Sequence, residues 1–449
     1  MALDQRERLS VPTSKSQLYR GATLDSDYTS PMPTFRFIHA ADIHLDSPLR
    51  GLSRYEGLPI EEIREASRSA FDRLIRFACS EKVDFVVIAG DLYDSDWKDM
   101  GTGLYFAKAM GRLGSAGIPV FLIRGNHDAV SVLTRSLPLP ENVHVFSDRV
   151  AETKQLEALR VALHGRSFGS RREVDDITPS YPEPVSGFFN IGILHTSLNG
   201  YAEHEPYAPC NLAALEAKGY DYWALGHVHE HAILNTSPYV VFSGVLQGRH
   251  IREQGPKGAV LVEVEDGAVK RAEHIPLDVF RWAIVAVDCT EIDQLEDLQG
   301  LIRREIRSHL EMLGTNPPVV IQLVLKGSTP LHARIMESSG QIRDDARAIA
   351  VELSTDLWLE KLKIQVEAPK ESAPNPQVGG LDELLASAAS DDLLSKKLQN
   401  ELTPFLLAYP KPPSETEETV VLLARAGSWN ELISLASKTL QARLVSAED

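Results

Sequence analysis

FRFIHAADIH, residues 35 to 44, places an apolar run of strand length directly before Asp42-Ile43-His44. The same pattern recurs at four later places, where a short apolar run ends beside a small polar cluster. The later runs are DFVVIA (84 to 89), PVFLI (119 to 123), FNIGIL (189 to 194) and DYWAL (221 to 225). Their clusters are Gly90-Asp91, Gly125-Asn126-His127-Asp128, His195 and Gly226-His227-Val228-His229. Short apolar runs of this kind predict buried strands of a largely parallel sheet.

We expect the polar clusters to meet at one edge of this sheet. Parallel strands that are separated by helices point their carboxyl ends in the same direction, and the sites of α/β proteins form there. A single Asp, Asn or His after a strand is an ordinary turn or capping residue. Five such clusters in one chain predict a shared site instead, with enough nitrogen and oxygen ligands for two metal ions.

The order of the clusters resembles the calcineurin-like metallophosphoesterase superfamily, whose pattern is D-x-H, G-D-x-x, G-N-H-[DE], a lone His and G-H-x-H. The resemblance covers residues 42 to 229. Three longer stretches, FIHAADIHLDSPLRG (37 to 51), GDLYDSDW (90 to 97) and SGVLQGRHIREQGPKG (243 to 258), resemble its bacterial DNA repair exonuclease subgroup. In that subgroup, the SbcD and YhaO types are nuclease subunits that work with a coiled-coil ATPase.

The resemblance implies an α/β fold, the four-layer α/β/β/α metallophosphoesterase sandwich, over residues 35 to 279. Three later runs in this range alternate apolar and polar residues, which predicts antiparallel strands. They are YVVFSG (239 to 244), GAVLVEVE (258 to 265) and VKRAEHIP (269 to 276). Residues 280 to 367 read as strand, helix, strand, helix and strand, and the resemblance makes this α+β unit a small capping domain.

The two ends of the chain differ from these folded segments. Residues 1 to 34 are rich in Ser, Thr, Asp and Pro, which predicts a disordered leader. Residues 368 to 380 contain Pro, Gly and Ser and predict a linker. Residues 381 to 449 place Leu, Ile and Ala at helical spacing. This C-terminal helical region would form a small bundle or, by resemblance, dock onto an SMC-like coiled-coil ATPase, and a homodimer is left open.

The resemblance assigns the polar side chains to two divalent ions. One ion would be held by Asp42, His44 and His229, the second by Asn126, His195 and His227, and both by Asp91. Imidazole, carboxylate and amide ligands without a thiolate suit Mn, Fe, Co or Zn. The resemblance favours Mn.

His127 and Asp94 are the candidate catalytic pair. By resemblance, His127 faces the leaving oxygen as a general acid or hydrogen-bond donor. The best-studied nucleases of the double-strand-break repair type carry a second His three residues after the bridging Asp, whereas this chain has Asp94. Related phosphatases carry Asp there, so we expect Asp94 to fix the tautomer of His127 and to raise its pKa. A simple helix cap is the alternative for Asp94.

Three basic or imidazole side chains are candidates for phosphate contacts: Arg124, Arg249 and His250. Each lies in a loop that follows or adjoins a motif strand. The alternative for each of them is a solvated charge paired with a nearby acid.

Charge and cysteine usage limit the functions open to the chain. Among its 449 residues, 46 are Lys or Arg and 63 are Asp or Glu, so the net charge is −17. Because DNA affinity depends on neutralising phosphates, this acidity predicts weak DNA binding by the chain alone. Three distant cysteines, no apolar leader and no apolar stretch of membrane-spanning length make the cytoplasm the expected compartment.

Three functions are therefore compatible with the sequence. The leading one is a metal-dependent DNA exonuclease or endonuclease in DNA repair. The acidity favours a second one, a phosphodiesterase for a small substrate such as a cyclic nucleotide. The third is a non-catalytic metal-binding scaffold subunit of an ATPase complex, which the complete ligand set disfavours.

Overall fold

The computed structural model describes residues 32–47, 63–94, 100–130, 138–171, 173–198, 207–290, 292–313, 317–369, 387–388, 391–408 and 419–446. The predicted leader and linker lie almost entirely outside these residues. Within them, no helix is both long enough and apolar enough to cross a membrane.

The strands of the described residues follow one another in chain order. They are β1 (Phe35–Ala40), β2 (Phe85–Ala89), β3 (Val120–Ile123), β4 (Val143–Val145), β5 (Glu152–Leu156), β6 (Val161–Gly165), β7 (Phe189–His195), β8 (Tyr222–Gly226), β9 (Ala232–Thr236), β10 (Tyr239–Phe242), β11 (Gly258–Glu265), β12 (Ala268–Pro276), β13 (Arg281–Asp288), β14 (Val319–Ser328) and β15 (Leu357–Glu367). The five strands predicted before the polar clusters are confirmed as β1, β2, β3, β7 and β8.

The α-helices of the same residues complete the fold. They are α1 (Ala66–Glu81), α2 (Met100–Ser115), α3 (Leu212–Ala217), α4 (Asp297–Leu313), α5 (His332–Glu337), α6 (Ser339–Leu353), α7 (Asp392–Ala408), α8 (Thr419–Ala426) and α9 (Trp429–Ser446). Helix α1 shows how the sequence sets these elements. Its buried residues Ala70, Phe71 and Leu74 recur at helical spacing, and the helix is terminated by the capping residue Lys82, which has a left-handed backbone.

Two six-stranded sheets form the larger part of the fold. The first has the strand order β12-β11-β1-β2-β3-β4 and the second has the order β5-β6-β7-β8-β10-β9. Strands β1 to β4 are parallel, as are β6, β7, β8 and β10. The expectation of a single sheet edge is therefore wrong, because β7 and β8 belong to the second sheet. The predicted antiparallel pairing is confirmed for β11 and β12, whereas β10 is parallel to β8 and antiparallel to β9.

Three apolar layers hold the two sheets and their helices together. Between the sheets, Phe37 and Phe85 of the first sheet pack in one core with Ile191 and Tyr222 of the second. Outside the first sheet, α1 and α2 bury apolar side chains such as Phe71 and Phe106 against the strands. Outside the second sheet, Leu215 of α3 packs with Trp223. This arrangement confirms the predicted four-layer α/β/β/α sandwich.

A third, smaller sheet follows along the chain. Its order is β13-β14-β15, all parallel, and α4, α5 and α6 share one core with one of its faces. The opposite face packs Trp282 and Val320 against Phe280 and Ile63, the residue three positions before α1. Helix α9 packs against α5. The predicted order of strands and helices in this α+β unit is confirmed, with α5 as an additional short helix.

Candidate metal centre

The loops that carry the polar clusters are joined by backbone hydrogen bonds across the carboxyl end of the first sheet. The Asp42 N–H donates to the Gly90 carbonyl at 3.0 Å, and the His44 N–H donates to the Asp91 carbonyl at 3.1 Å. The second sheet joins them through the His227 N–H, which donates to Asp42 Oδ2 at 2.9 Å. The predicted convergence is therefore observed, but it combines the ends of two facing sheets.

Four of the candidate ligands have left-handed backbone conformations. They are Asp42 (φ 50°), His44 (φ 45°), Asp91 (φ 52°) and His227 (φ 96°). Residues other than glycine adopt this region rarely, and each case costs on the order of 1–3 kcal/mol. Strain of this kind is concentrated at functional sites, where the surrounding structure holds it. The sequence gives no signal for it.

One group of donor atoms consists of Asp42, His44 and His229, whose ligand atoms all lie within 4.8 Å of one another. The two Nε2 atoms of His44 and His229 are 3.4 Å apart, and His229 Nε2 is 3.8 Å from Asp42 Oδ1. Asp42 is fully buried, and its Oδ1 has no hydrogen-bond partner among the described residues. A buried carboxylate oxygen that faces two imidazole nitrogens fits a divalent cation.

Two carboxylates orient these imidazoles. His44 Nδ1 lies 2.7 Å from Asp94 Oδ1, and His229 Nδ1 lies 2.7 Å from Glu253 Oε1. Because an ionised carboxylate only accepts hydrogen bonds, each Nδ1 carries the proton and each Nε2 presents its lone pair. Sequence reasoning missed Glu253, although it lies in the quoted stretch 243 to 258.

A second group of donor atoms surrounds His195. Its Nε2 lies 2.9 Å from Asn126 Oδ1 and 3.4 Å from Asp91 Oδ2, while its Nδ1 donates to the Ala89 carbonyl at 2.9 Å. Burial lowers the pKa of His195, but Asp91 outweighs it and the pKa rises to about 9. The pKa of Asp91 is correspondingly held well below its usual range, against the effect of burial. Because Asn126 Oδ1 and Asp91 Oδ2 both face His195 Nε2, a lone pair on that nitrogen would be repelled by them. Either a proton or a metal ion at this nitrogen removes the repulsion.

His227 lies beside this second group. It is buried, and its ring centroid is 5.2 Å from that of His195 and 5.1 Å from that of Tyr207. The structure thus brings all the candidate ligands of both ions together around Asp42 and Asp91.

His127 lies at the more open side of the centre. Its side chain is 30% exposed, and its backbone N–H donates to Asp91 Oδ1 at 2.9 Å. Its Nδ1 is 3.6 Å from Asp94 Oδ1 and makes no hydrogen bond within the described residues, because Asp94 bonds to His44 instead. Asp94 acts to raise the pKa of His127, as expected, but the net shift of this pKa is downward. Burial lowers this pKa and outweighs the Asp91 and Asp94 carboxylates.

The structure separates the candidate phosphate contacts. Arg249 lies at the centre, with Nη2 3.1 Å from Glu253 Oε1 and Nη1 3.8 Å from Asp94 Oδ1. His250 Nε2 is 3.6 Å from Glu253 Oε1. Arg124, in contrast, directs its guanidinium toward Asp148, at 3.8 Å.

Asp128 is a further residue whose role the sequence did not reveal. Its buried carboxylate accepts hydrogen bonds from the backbone N–H groups of Leu92, Tyr93 and Gly125, at 2.9 to 3.1 Å. Burial, followed by the charge of Asp91, raises its pKa to about 7. Asp128 therefore ties the loop after β2 to the loop after β3. The signal for it was its place as the fourth residue of the Gly125-Asn126-His127-Asp128 cluster.

Comparisons with known proteins agree with this geometry. Residues 35–231 match the family model described as calcineurin-like phosphoesterase, and residues 282–367 match the model of the middle domain of metallophosphoesterase YhaO. Over 298 residues, the chain is 37% identical to the uncharacterized metallophosphoesterase YhaO of Bacillus subtilis (strain 168). That alignment covers 66% of this chain and 72% of the relative.

More distant relatives cover less. Over 292 residues, the chain is 28% identical to the DNA double-strand break repair protein Mre11 of Methanopyrus kandleri. This alignment covers 59% of the chain and 58% of that relative's length. A solved structure of a dimetal phosphatase from Danio rerio is 13% identical, with a TM-score of 0.34, and the match covers 55% of this chain and 98% of the other.

The 37% identity to the Bacillus subtilis protein, over 72% of that protein's length, is decisive for the family. The two family models match residues 35–231, which contain all the candidate ligands, and residues 282–367, which contain most of the third sheet. The chain therefore belongs to the calcineurin-like metallophosphoesterases, and within them to the YhaO type.

Proposed function

We propose that this chain is a dinuclear-metal-dependent phosphodiesterase that cleaves DNA as the nuclease subunit of an ATPase complex. The observation that carries the proposal is the convergence of Asp42 Oδ1 and the Nε2 atoms of His44 and His229 in a buried centre. These atoms are all acceptors or lone pairs, so a cation is the partner that satisfies them together.

The donor set fits two ions. Asp42, His44 and His229 would hold one of them, and Asn126, His195 and His227 the other. Asp91 would be shared between them. Bound divalent ions supply a nucleophile from water and stabilise charge on phosphoryl oxygens. Nitrogen and oxygen ligands without a thiolate are compatible with Mn, which we propose as the metal.

The residues around the ligands have separate tasks. We assign His127 the role of N–H donor to the leaving oxygen, and burial, which lowers its pKa, favours the neutral ring in that role. Arg249 places a fixed positive charge beside the centre, where it would hold a non-bridging phosphate oxygen. Asp94 fixes the tautomer of the ligand His44.

The relative from Methanopyrus kandleri is a DNA double-strand break repair protein, which supports DNA as the substrate. The resemblance to the SbcD and YhaO types supports an ATPase partner. The net charge of −17 favours a second candidate, a phosphodiesterase for small substrates. An ATPase subunit with a basic surface would supply the DNA affinity that the net charge of this chain disfavours.

An activity panel tests the proposal. Metal-free protein is loaded with Mn²⁺ and assayed on linear DNA, bis-p-nitrophenyl phosphate and cyclic nucleotides, with and without an ATPase partner. We expect His127→Asn to keep both ions and to lose about 10²–10⁴-fold in turnover, and Asp91→Ala to lose metal. His144→Asn, a half-buried histidine on β4, is the control and should match the wild type.

Two outcomes would count against the proposal. Cleavage of small diesters but not of DNA, even with the partner, removes the nuclease assignment and leaves the second candidate. Full turnover by His127→Asn removes the role assigned to that side chain.

A further inference from the structure

We propose that Glu253 is a positioning residue for His229, and that the third sheet holds this glutamate in place through Trp282. The inference rests on the metal centre of the proposed function and extends it to two residues outside the ligand pattern. Glu253 is only 6% exposed, and Trp282 is 1% exposed. Neither residue is a candidate ligand.

Both oxygens of Glu253 are fully engaged. Oε1 accepts from His229 Nδ1 at 2.7 Å and from Arg249 Nη2 at 3.1 Å, and Oε2 accepts from the Arg249 N–H at 2.6 Å. The first of these bonds orients the ring of His229 and favours the tautomer with the proton on Nδ1, although Arg249 Nη2 also lies 3.2 Å from that nitrogen. As a result, His229 Nε2 faces His44 Nε2 and Asp42 Oδ1, which lie 3.4 Å and 3.8 Å away. Without Glu253, the proton could move to Nε2 and block the donor atom.

The loop that carries Glu253 is anchored on the third sheet. We call residues 247 to 254 the Gln247 loop. At its start, Trp282 Nε1 donates to the Gly248 carbonyl at 3.1 Å, and Gln247 Nε2 donates to the Phe280 carbonyl at 3.0 Å. At its end, the Ile284 N–H donates to Gln254 Oε1 at 3.1 Å.

These bonds fix both ends of the Gln247 loop to β13 and to Phe280, which precedes β13. Arg249 and Glu253 lie between the two ends. The third sheet supplies no candidate ligand, but through this loop it sets the orientation of one candidate ligand, His229. Replacing Trp282 should loosen the loop at Gly248 and move the Glu253 carboxylate relative to His229.

Mn²⁺ binding to the full-length chain tests this, measured by isothermal titration calorimetry after chelation and dialysis. We expect two ions for the wild type and, for Glu253→Ala, a loss of about 10- to 100-fold in affinity for one of them. Glu253→Gln, whose amide oxygen can accept the same N–H, should lose less than about tenfold. Trp282→Phe should weaken the same ion.

The matched control is Glu352→Ala. Glu352 also accepts from an arginine, Arg303, at 2.7 Å, but on the exposed surface of α6 and α4. The Glu352→Ala variant should bind both ions as the wild type does. Thermal unfolding of each metal-free variant checks that the fold is kept, and Trp282→Phe carries the comparison if Glu253→Ala does not fold.

A double-mutant cycle separates positioning from a general loss of charge. In the His229→Ala background, adding Glu253→Ala or Trp282→Phe should cost no further affinity, because the residue through which they act is gone. Equal losses in both backgrounds would overturn the inference, as would wild-type affinity in Glu253→Ala. A wild-type chain that binds no Mn²⁺ would instead overturn the proposed function itself.

Discussion

His39 illustrates a histidine that serves packing in the same sheets that carry the metal centre. It is fully buried, and its Nε2 donates to the Leu225 carbonyl at 3.2 Å while its Nδ1 lies 3.1 Å from the Tyr222 hydroxyl. The Leu225 carbonyl as acceptor and the Tyr222 hydroxyl as donor satisfy both nitrogens of the neutral ring. Burial therefore lowers the pKa of His39 to about 3, with a smaller effect of the opposite sign from the Leu225 bond.

This lowered pKa predicts a pH dependence of stability. The unfolded chain protonates His39 below its ordinary pKa of about 6.5, whereas the folded chain does not until about pH 3. Stability from this residue is thus complete above pH 6.5 and is lost as the pH falls. Between pH 8 and pH 5 the loss should be about 2 kcal/mol.

Urea unfolding in a chelating buffer at pH 8 and pH 5 measures this contribution. We expect His39→Gln to show a difference between the two pH values that is smaller than that of the wild type by about 2 kcal/mol. If the two proteins lose the same stability between pH 8 and pH 5, His39 does not remain neutral in the folded chain.

The role of Asp94 could be predicted from the sequence only in part. Asp94 was found as a candidate, but its hydrogen bond goes to His44 and not to His127. The choice between two histidines depends on how the loop after β2 lies against the loop after β1. Sequence spacing carries no information about that contact.

At the scale of the elements, the pairing of β7 with β8 depends on one glycine. Gly192 is the register partner of Trp223. A Cβ at position 192 would lie 2.3 Å from Trp223 Cε3, because the indole fills the space that the glycine leaves. The indole is also fixed from the other side, since its Nε1 donates to the Leu215 carbonyl of α3 at 3.0 Å.

Gly192→Ala should therefore destabilise the protein by about 1–3 kcal/mol, because the buried ring cannot move away without distorting the outer layer. Gly300→Ala is the matched control. It lies in α4, where a Cβ would meet nothing within 4 Å, and it should stabilise the helix by up to about 1 kcal/mol.

Chemical denaturation of both variants decides the point. A Gly192→Ala protein as stable as the wild type would mean that the Trp223 ring has another place to go. The strand run FNIGIL itself was evident from its apolar residues. The partner of its glycine was not, because the register between two strands is set only when the sheet forms.

At the scale of the whole molecule, the net charge of −17 repels an anionic substrate, whereas the two divalent ions that we propose for the centre would attract it locally. Long-range repulsion between exposed charges is screened by salt, whereas a buried centre is screened much less. DNA carries many phosphates and should therefore be repelled by charges over the whole surface. The binding of a small diester should depend mainly on the charge of the centre.

This contrast predicts how binding responds to salt. For the chain alone, we expect DNA affinity to fall by only about tenfold between 50 and 200 mM salt, the value for two neutralised phosphates. Turnover of bis-p-nitrophenyl phosphate should change by less than about twofold. Fluorescence anisotropy of a labelled duplex measures the DNA affinity, with the His127→Asn variant loaded with Mn²⁺ so that cleavage does not interfere. A thousandfold loss over the same range would instead indicate an extended basic face on this chain.

The sequence by itself determined the ligand types, their order and the strands that precede them. These features are local, because an apolar run with a polar end is evident within about ten residues. It also indicated the four-layer sandwich and the α+β unit, through the resemblance and through the spacing of strands and helices.

Only the tertiary structure decided that the candidate centre joins two facing sheets, that four candidate ligands take left-handed backbones, and that Glu253 contacts His229. Each of these depends on contacts between residues far apart in the chain, such as the His227 N–H and the Asp42 carboxylate. The packing of the two sheets creates those contacts, and no periodicity in the sequence encodes the direction in which a loop side chain then points.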